Sequence, residues 1–139
     1  MTDSAEKNRF DAGLKVRREV LGDAYVDQSL NNNRDEFAWP MQELVTEYCW
    51  GEIWTREELS RRERSLINLG MLTALNRPHE IRVHVRGALN NGVSIAEIRE
   101  VFLQSAIYCG VPAAIDSFRI AREVLAELDA DQQDQTPVA

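Results

Sequence analysis

Strand patterning is nearly missing from this chain of 139 residues, and that constrains its fold more than any single motif. One run alternates, Ile-Arg-Val-His-Val-Arg at 81–86. It lies between Pro78 and an Asn-Asn-Gly stop ending at Gly92, so it reads as helix. Helix punctuation is dense instead. Ser60 with Glu63 and Ser94 with Glu97 have capping-box spacing, in which the N-cap hydroxyl and the N3 carboxylate each satisfy a free backbone N–H. Gly22, Gly51 and Gly92 suit helix ends. Pro40, Pro78 and Pro112 suit first turns.

These signals predict about six helices: residues 5–21, 35 or 40 to 50, 61–76, 78–91, 95–109 and 112–128, with 29–36 as a loop. The expected fold is an all-α, single-domain bundle over 1–128, followed by a polar tail at 129–139 expected to be disordered. The segment Arg-Ser-Leu-Ile-Asn-Leu-Gly-Met-Leu-Thr-Ala-Leu-Asn at 64–76 is apolar on nearly all sides, as in a helix buried in a large core or between subunits. Gly70 in its middle costs about 1 kcal/mol relative to alanine, so a close helix crossing is expected there. The apolar stripes expected to pack are Ile98, Val101, Phe102, Ser105 and Cys109 in the fifth helix, and Ile115, Phe118, Leu125 and Leu128 in the sixth.

The formal charge of −7 argues against nucleic-acid binding, which needs a basic footprint. It leaves room for a small anion held by a few clustered arginines. The first residues lack the apolar core of a secretory signal, and no run approaches the roughly 18 apolar residues of a membrane span. A cytoplasmic protein with reduced thiols and no membrane partner is expected. Cys49 and Cys109 form no C-x-x-C pair, and two histidines are too few to suggest a metal site. Trp39, Trp50 and Trp54 read as core or interface anchors, Cys109 as a packed small hydrophobe and His79 as an exposed residue near a helix start.

The chemistry-bearing residues gather in the helix at 78–91. Glu80 lies about 40° from His84 around a helix and Arg77 about 20° on the other side, so the three share a face. Ile81, Val85 and Ala88 border that face and turn it partly inward, and small Gly87 and Ala88 leave space beside the imidazole. Glu80 could orient His84 and raise its pKa, while Arg77 at the helix start could hold an anion. By spacing alone the triplet reads first as ordinary surface ion pairs. Arg64, in a first turn after a cap, likewise reads first as a solvated residue.

The segments at 9–30, 50–56, 64–77 and 84–114, taken in order, resemble the carboxymuconolactone decarboxylase family, over nearly the whole of 9–128. The resemblance implies the all-helical fold shared with alkylhydroperoxidase D-like proteins, and a homo-oligomer, trimer or hexamer. The peroxidase branch carries C-x-x-C seven and four residues before its histidine. Here those positions hold Arg77 and Glu80, and the branch's relay glutamate falls on Ser65. The implied reaction is loss of CO₂ from γ-carboxymuconolactone to give β-ketoadipate enol-lactone, in protocatechuate catabolism. It needs no cofactor or metal, because the conjugated lactone accepts the electron pair. The resemblance makes His84 the candidate acid, Glu80 its orienter, and Arg77 and Arg64 the candidate carboxylate receptors. Two other readings remain: a redox protein pairing Cys49 with Cys109, and a non-catalytic helical oligomer that binds an acidic metabolite.

Overall fold

The computed structural model describes residues 2–135. They form seven α-helices and one π-helix: α1 (Thr2–Leu21), α2 (Asp23–Asn32), α3 (Trp39–Leu44), the π-helix (Val45–Ile53), α4 (Arg61–Ala74), α5 (Pro78–Asn90), α6 (Ile95–Cys109) and α7 (Val111–Asp134). No strand occurs among the described residues. The chain divides into two compact units, Met1–Arg64 and Ser65–Ala139.

The first unit is built on a close crossing of α1 with the π-helix. A Cβ placed on Gly13 would lie 1.9 Å from the carbonyl oxygen of Thr46, and one on Gly51 would lie 2.7 Å from that of Arg9. Backbone therefore meets backbone, and only glycine fits at either position. Gly51, expected as a helix stop, instead sits inside the π-helix for this reason. Val16, Val20, Val26, Leu30 and the tilted ring pair Trp50 and Trp54, with centroids 4.8 Å apart, are buried. Trp39 is half-buried against Phe10. Gly22, at φ 89°, ends α1 and starts α2, a helix absent from the sequence expectation because its C-terminal half is an Asn-rich run.

In the second unit α5, α6 and α7 enclose Leu69, Ile81, Val85, Phe102, Ile120 and Val124. The alternation at 81–86 takes on a helical meaning. Arg82 and Arg86, one turn apart, both reach Glu127 on α7, at 2.6 and 2.5 Å, and Arg82 also meets Glu123. Both capping boxes form: Glu63 N–H donates to Ser60 Oγ, Ser60 N–H to Glu63 Oε1, and the same exchange joins Ser94 and Glu97.

Four expectations are corrected here. The fully buried face of α7 is Ala114, Ser117, Ile120, Ala121 and Val124; of the expected stripe Phe118 and Leu128 pack against the core as half-buried residues, whereas Ile115 is exposed. Small residues let the neighbouring helices approach, and the Ser117 hydroxyl is satisfied by Thr73 Oγ1 at 2.9 Å. Cys109, the last residue of α6, is exposed rather than packed. No atom of the described residues lies within 4 Å of a Cβ built on Gly70, so the close crossing expected there is not made among them. Finally, α7 continues through Asp134, so residues 129–134 are helical; 136–139 lie outside the described residues.

Candidate active site

Pro78 at the first position of α5 fixes a helical φ, and Arg77 is its N-cap residue. Ile81, Val85 and Ala88, spaced four and three apart, bury one face of the helix in the core of the second unit. That anchoring holds His84 half-buried between the buried Val83 and Val85. The Asn68 amide on α4 lies 3.5 Å from His84 Nδ1. With that amide donating, the neutral ring carries its proton on Nε2.

Glu80 does not take this orienting place. It is exposed in the first turn of α5, and Asn68 rather than a carboxylate meets Nδ1. The expected rise in the histidine pKa is accordingly overturned: burial pushes the His84 ring down from 6.5 to about 4. A neutral amide offers an imidazolium no charge to offset its lost hydration.

This depression has a consequence for stability. Between about pH 6.5 and 4 the unfolded chain binds a proton at His84 that the folded chain refuses, so stability falls as pH drops through that window. The full effect is on the order of 3 kcal/mol. Urea unfolding at pH 7.5 and 5.0 is expected to show a loss for the wild type that His84→Gln largely removes. An equal loss in both proteins would place the acid sensitivity elsewhere.

The other candidates are dispersed. Arg77 is exposed and lines a small cavity of about 80 Å³ with Thr73, Ile81, Asp116, Arg119 and Ile120. Arg64, in the first turn of α4, is half-buried, and its Nη2 donates to the Arg56 carbonyl at 3.3 Å while its Nε is buried without an acceptor. Ser65, where the peroxidase branch has its glutamate, is buried and accepts from Asn91 Nδ2 at 2.9 Å. Both cysteines are free thiols, and burial pushes the Cys49 thiol up, away from the thiolate that redox chemistry needs. His79 is exposed, as expected. Among the described residues no three His, Cys, Asp or Glu side chains converge as metal ligands would, and no helix is long and apolar enough to cross a membrane.

Asn68 was not foreseen. Its signal lies in the sequence: it is the one amide in the run 66–72, which is otherwise free of polar side chains. A polar side chain in such a place calls for a partner.

A chain with no strand among its described residues, a half-buried histidine on α5 and no cysteine at 77 or 80 matches the decarboxylating rather than the thiol-bearing pattern. The family model for the carboxymuconolactone decarboxylase family matches residues 40–123. The chain belongs to that family, and its fold is the alkylhydroperoxidase D-like helical fold. It is 41% identical over 126 residues to the nitrosuccinic acid decarboxylase npaB of Metarhizium robertsii, covering 91% of this chain and 87% of that one. It is 40% identical over 123 residues to the 4-carboxymuconolactone decarboxylase of Acinetobacter baylyi, covering 88% and 91%. Both relatives are decarboxylases, and this chain is a carboxy-lyase.

Proposed function

We propose that the chain decarboxylates γ-carboxymuconolactone to β-ketoadipate enol-lactone without a cofactor, as a step of protocatechuate catabolism. The observation that carries this reading is the near full-length match to a relative named for that lactone, with a histidine held half-buried on α5. The bond to the leaving carboxylate breaks and its electron pair enters the conjugated lactone, giving a dienolate. A proton delivered to the carbon α to the carbonyl then yields the enol-lactone.

His84 is the proposed donor. In the free chain its ring is neutral at pH 7, because burial holds its pKa near 4. A bound dianion adds opposite charge in the same low-dielectric surroundings and raises that pKa, so the second proton arrives with the substrate. Arg77 is proposed to fork the retained carboxylate. It starts the helix that carries His84, about 10 Å along the axis, a gap that an extended arginine and a dicarboxylated lactone can fill. Arg64 is the second candidate receptor, one turn before Asn68 on α4. Glu80, exposed near Arg77, contributes negative charge at the helix start rather than orientation of the ring.

Arg77→Lys keeps the charge and loses the fork, so kcat/KM is expected to fall about tenfold or more while Tm is unchanged. Unchanged kinetics would mark Arg77 as a surface residue only.

The acting species is proposed to be a homo-oligomer, a trimer or hexamer. Ile67 and Met71 on α4, Leu75 just past its end, and Leu103, Ile107 and Tyr108 on α6 are exposed apolar residues of the kind that subunit contacts cover.

Nitrosuccinic acid also carries two carboxyl groups, one of them beside a nitro group that can accept electrons. The substrate assignment is therefore tested by measuring kcat/KM for both compounds with one enzyme preparation. A value for the lactone at least about tenfold higher is expected. The reverse order would move the assignment to the nitro acid.

A further inference from the structure

Arg17 is the most deeply buried cation described in the first unit, with 5% of its surface exposed. Its neighbour Arg18 meets two carboxylates, Asp23 at 3.4 Å and Asp27 at 2.6 Å. Arg17 meets none among the described residues. Its Nη1 donates to Gln42 Oε1 at 3.0 Å and to Thr46 Oγ1 at 3.3 Å, and its Nη2 donates to Ser29 Oγ at 3.1 Å. Its Nε is buried with no acceptor. All three acceptors are neutral. The ionisable groups felt most closely besides Arg18 are a phenol, Tyr25, and a thiol, Cys49, which burial pushes up; neither is a carboxylate.

A guanidinium taken out of water costs several kcal/mol unless an opposite charge or a full set of hydrogen bonds offsets it. Here no opposite charge meets it among the described residues, and of its five N–H groups only three donate, with the Nε–H buried. Burial lowers the Arg17 pKa, yet an arginine stays protonated at neutral pH. The surroundings can adapt to an anion. The Ser29 and Thr46 hydroxyls can turn to donate, and the Gln42 amide can present its NH₂ in place of its oxygen. A carboxylate replacing Gln42 Oε1 would then face donors on every side. Ser29 and Gln42 are only half-buried, so the cluster opens to the surface on their side. Thr46 belongs to the nine-residue π-helix, a rare conformation that occurs frequently at functional sites.

We infer that Arg17, with Ser29, Gln42 and Thr46, forms a binding site for a small organic carboxylate in the first unit. This inference stands apart from the assignment of the reaction and is tested without turnover. The probe is succinate, and the readout is thermal unfolding of the full-length protein at constant ionic strength, with sodium sulfate as the comparison. The wild type is expected to gain about 4 °C once succinate exceeds its Kd roughly tenfold. Gln42→Glu places a carboxylate within reach of the Arg17 fork. That variant is expected to have a higher Tm without ligand and to lose the succinate response. Arg17→Met is expected to lose the response as well, and Gln42→Glu keeps the question answerable where Arg17→Met does not fold. No succinate-dependent shift in the wild type, a Gln42→Glu variant that responds like the wild type, or an equal shift with sulfate would each overturn the carboxylate site.

Discussion

His84→Gln is expected to lower kcat by about 10²–10⁴-fold, the usual contribution of a positioned acid or base, while KM changes little. Glutamine keeps roughly the volume of the ring and can still meet the Asn68 amide, so packing around Val83 and Val85 should survive. What it lacks is a transferable proton. In the proposed reaction decarboxylation leaves a dienolate that can be protonated at two carbons, and only protonation α to the carbonyl gives the enol-lactone. The variant should therefore also release products of protonation at the wrong carbon, or return the proton without facial selectivity. Steady-state kinetics with product analysis separates these effects. A folded variant with normal kcat and a single product would remove His84 from the chemistry.

Gly13→Ala is expected to be the most damaging small substitution in the first unit. The added methyl would sit 1.9 Å from the Thr46 carbonyl oxygen and 2.9 Å from the Gly51 nitrogen. Both are backbone atoms, so no side chain can swing aside, and α1 and the π-helix must separate. Alanine's better helix propensity returns only about 1 kcal/mol. Overpacking against a rigid neighbour costs typically 1–3 kcal/mol and more where backbone must move, so a net loss of about 2 kcal/mol or more is expected. Urea denaturation of the variant beside the wild type measures it. Stability within about 0.5 kcal/mol of the wild type would mean that the crossing is not as close as described.

The helix ends were legible where side chains cap them. Ser60, Ser94, Pro78 and Gly92 mark their boundaries because capping is a local interaction, written in three or four consecutive residues. The π-helix and the role of Gly51 were not legible, since both depend on α1 lying against residues more than thirty positions away. α2 was hidden by its own composition: Asn31 and Asn32 disfavour helix, and packing of Val26 and Leu30 overrides them. In the candidate site, the resemblance drew attention to His84, but the helical wheel misjudged Glu80. An angle around a helix says which residues share a face, not how far the neighbouring elements extend along it. Near its first turn α5 leaves Arg77 and Glu80 exposed, and the inward contact to the ring comes from another helix. Arg17 is hidden in the sequence for a related reason. Next to Arg18 in a charged stretch it reads as solvated, and only the packed structure shows one of the pair inside and the other outside.

The central claim is that this chain removes CO₂ from γ-carboxymuconolactone and that a protein acid then protonates one carbon on one face. Turnover in D₂O, followed by NMR with the lactone generated in situ, tests it most directly. The expected result is loss of the lactone matched by enol-lactone carrying one deuterium at the α carbon, in a single configuration. Persistence of the lactone at micromolar enzyme, or deuterium spread over both faces, would contradict it.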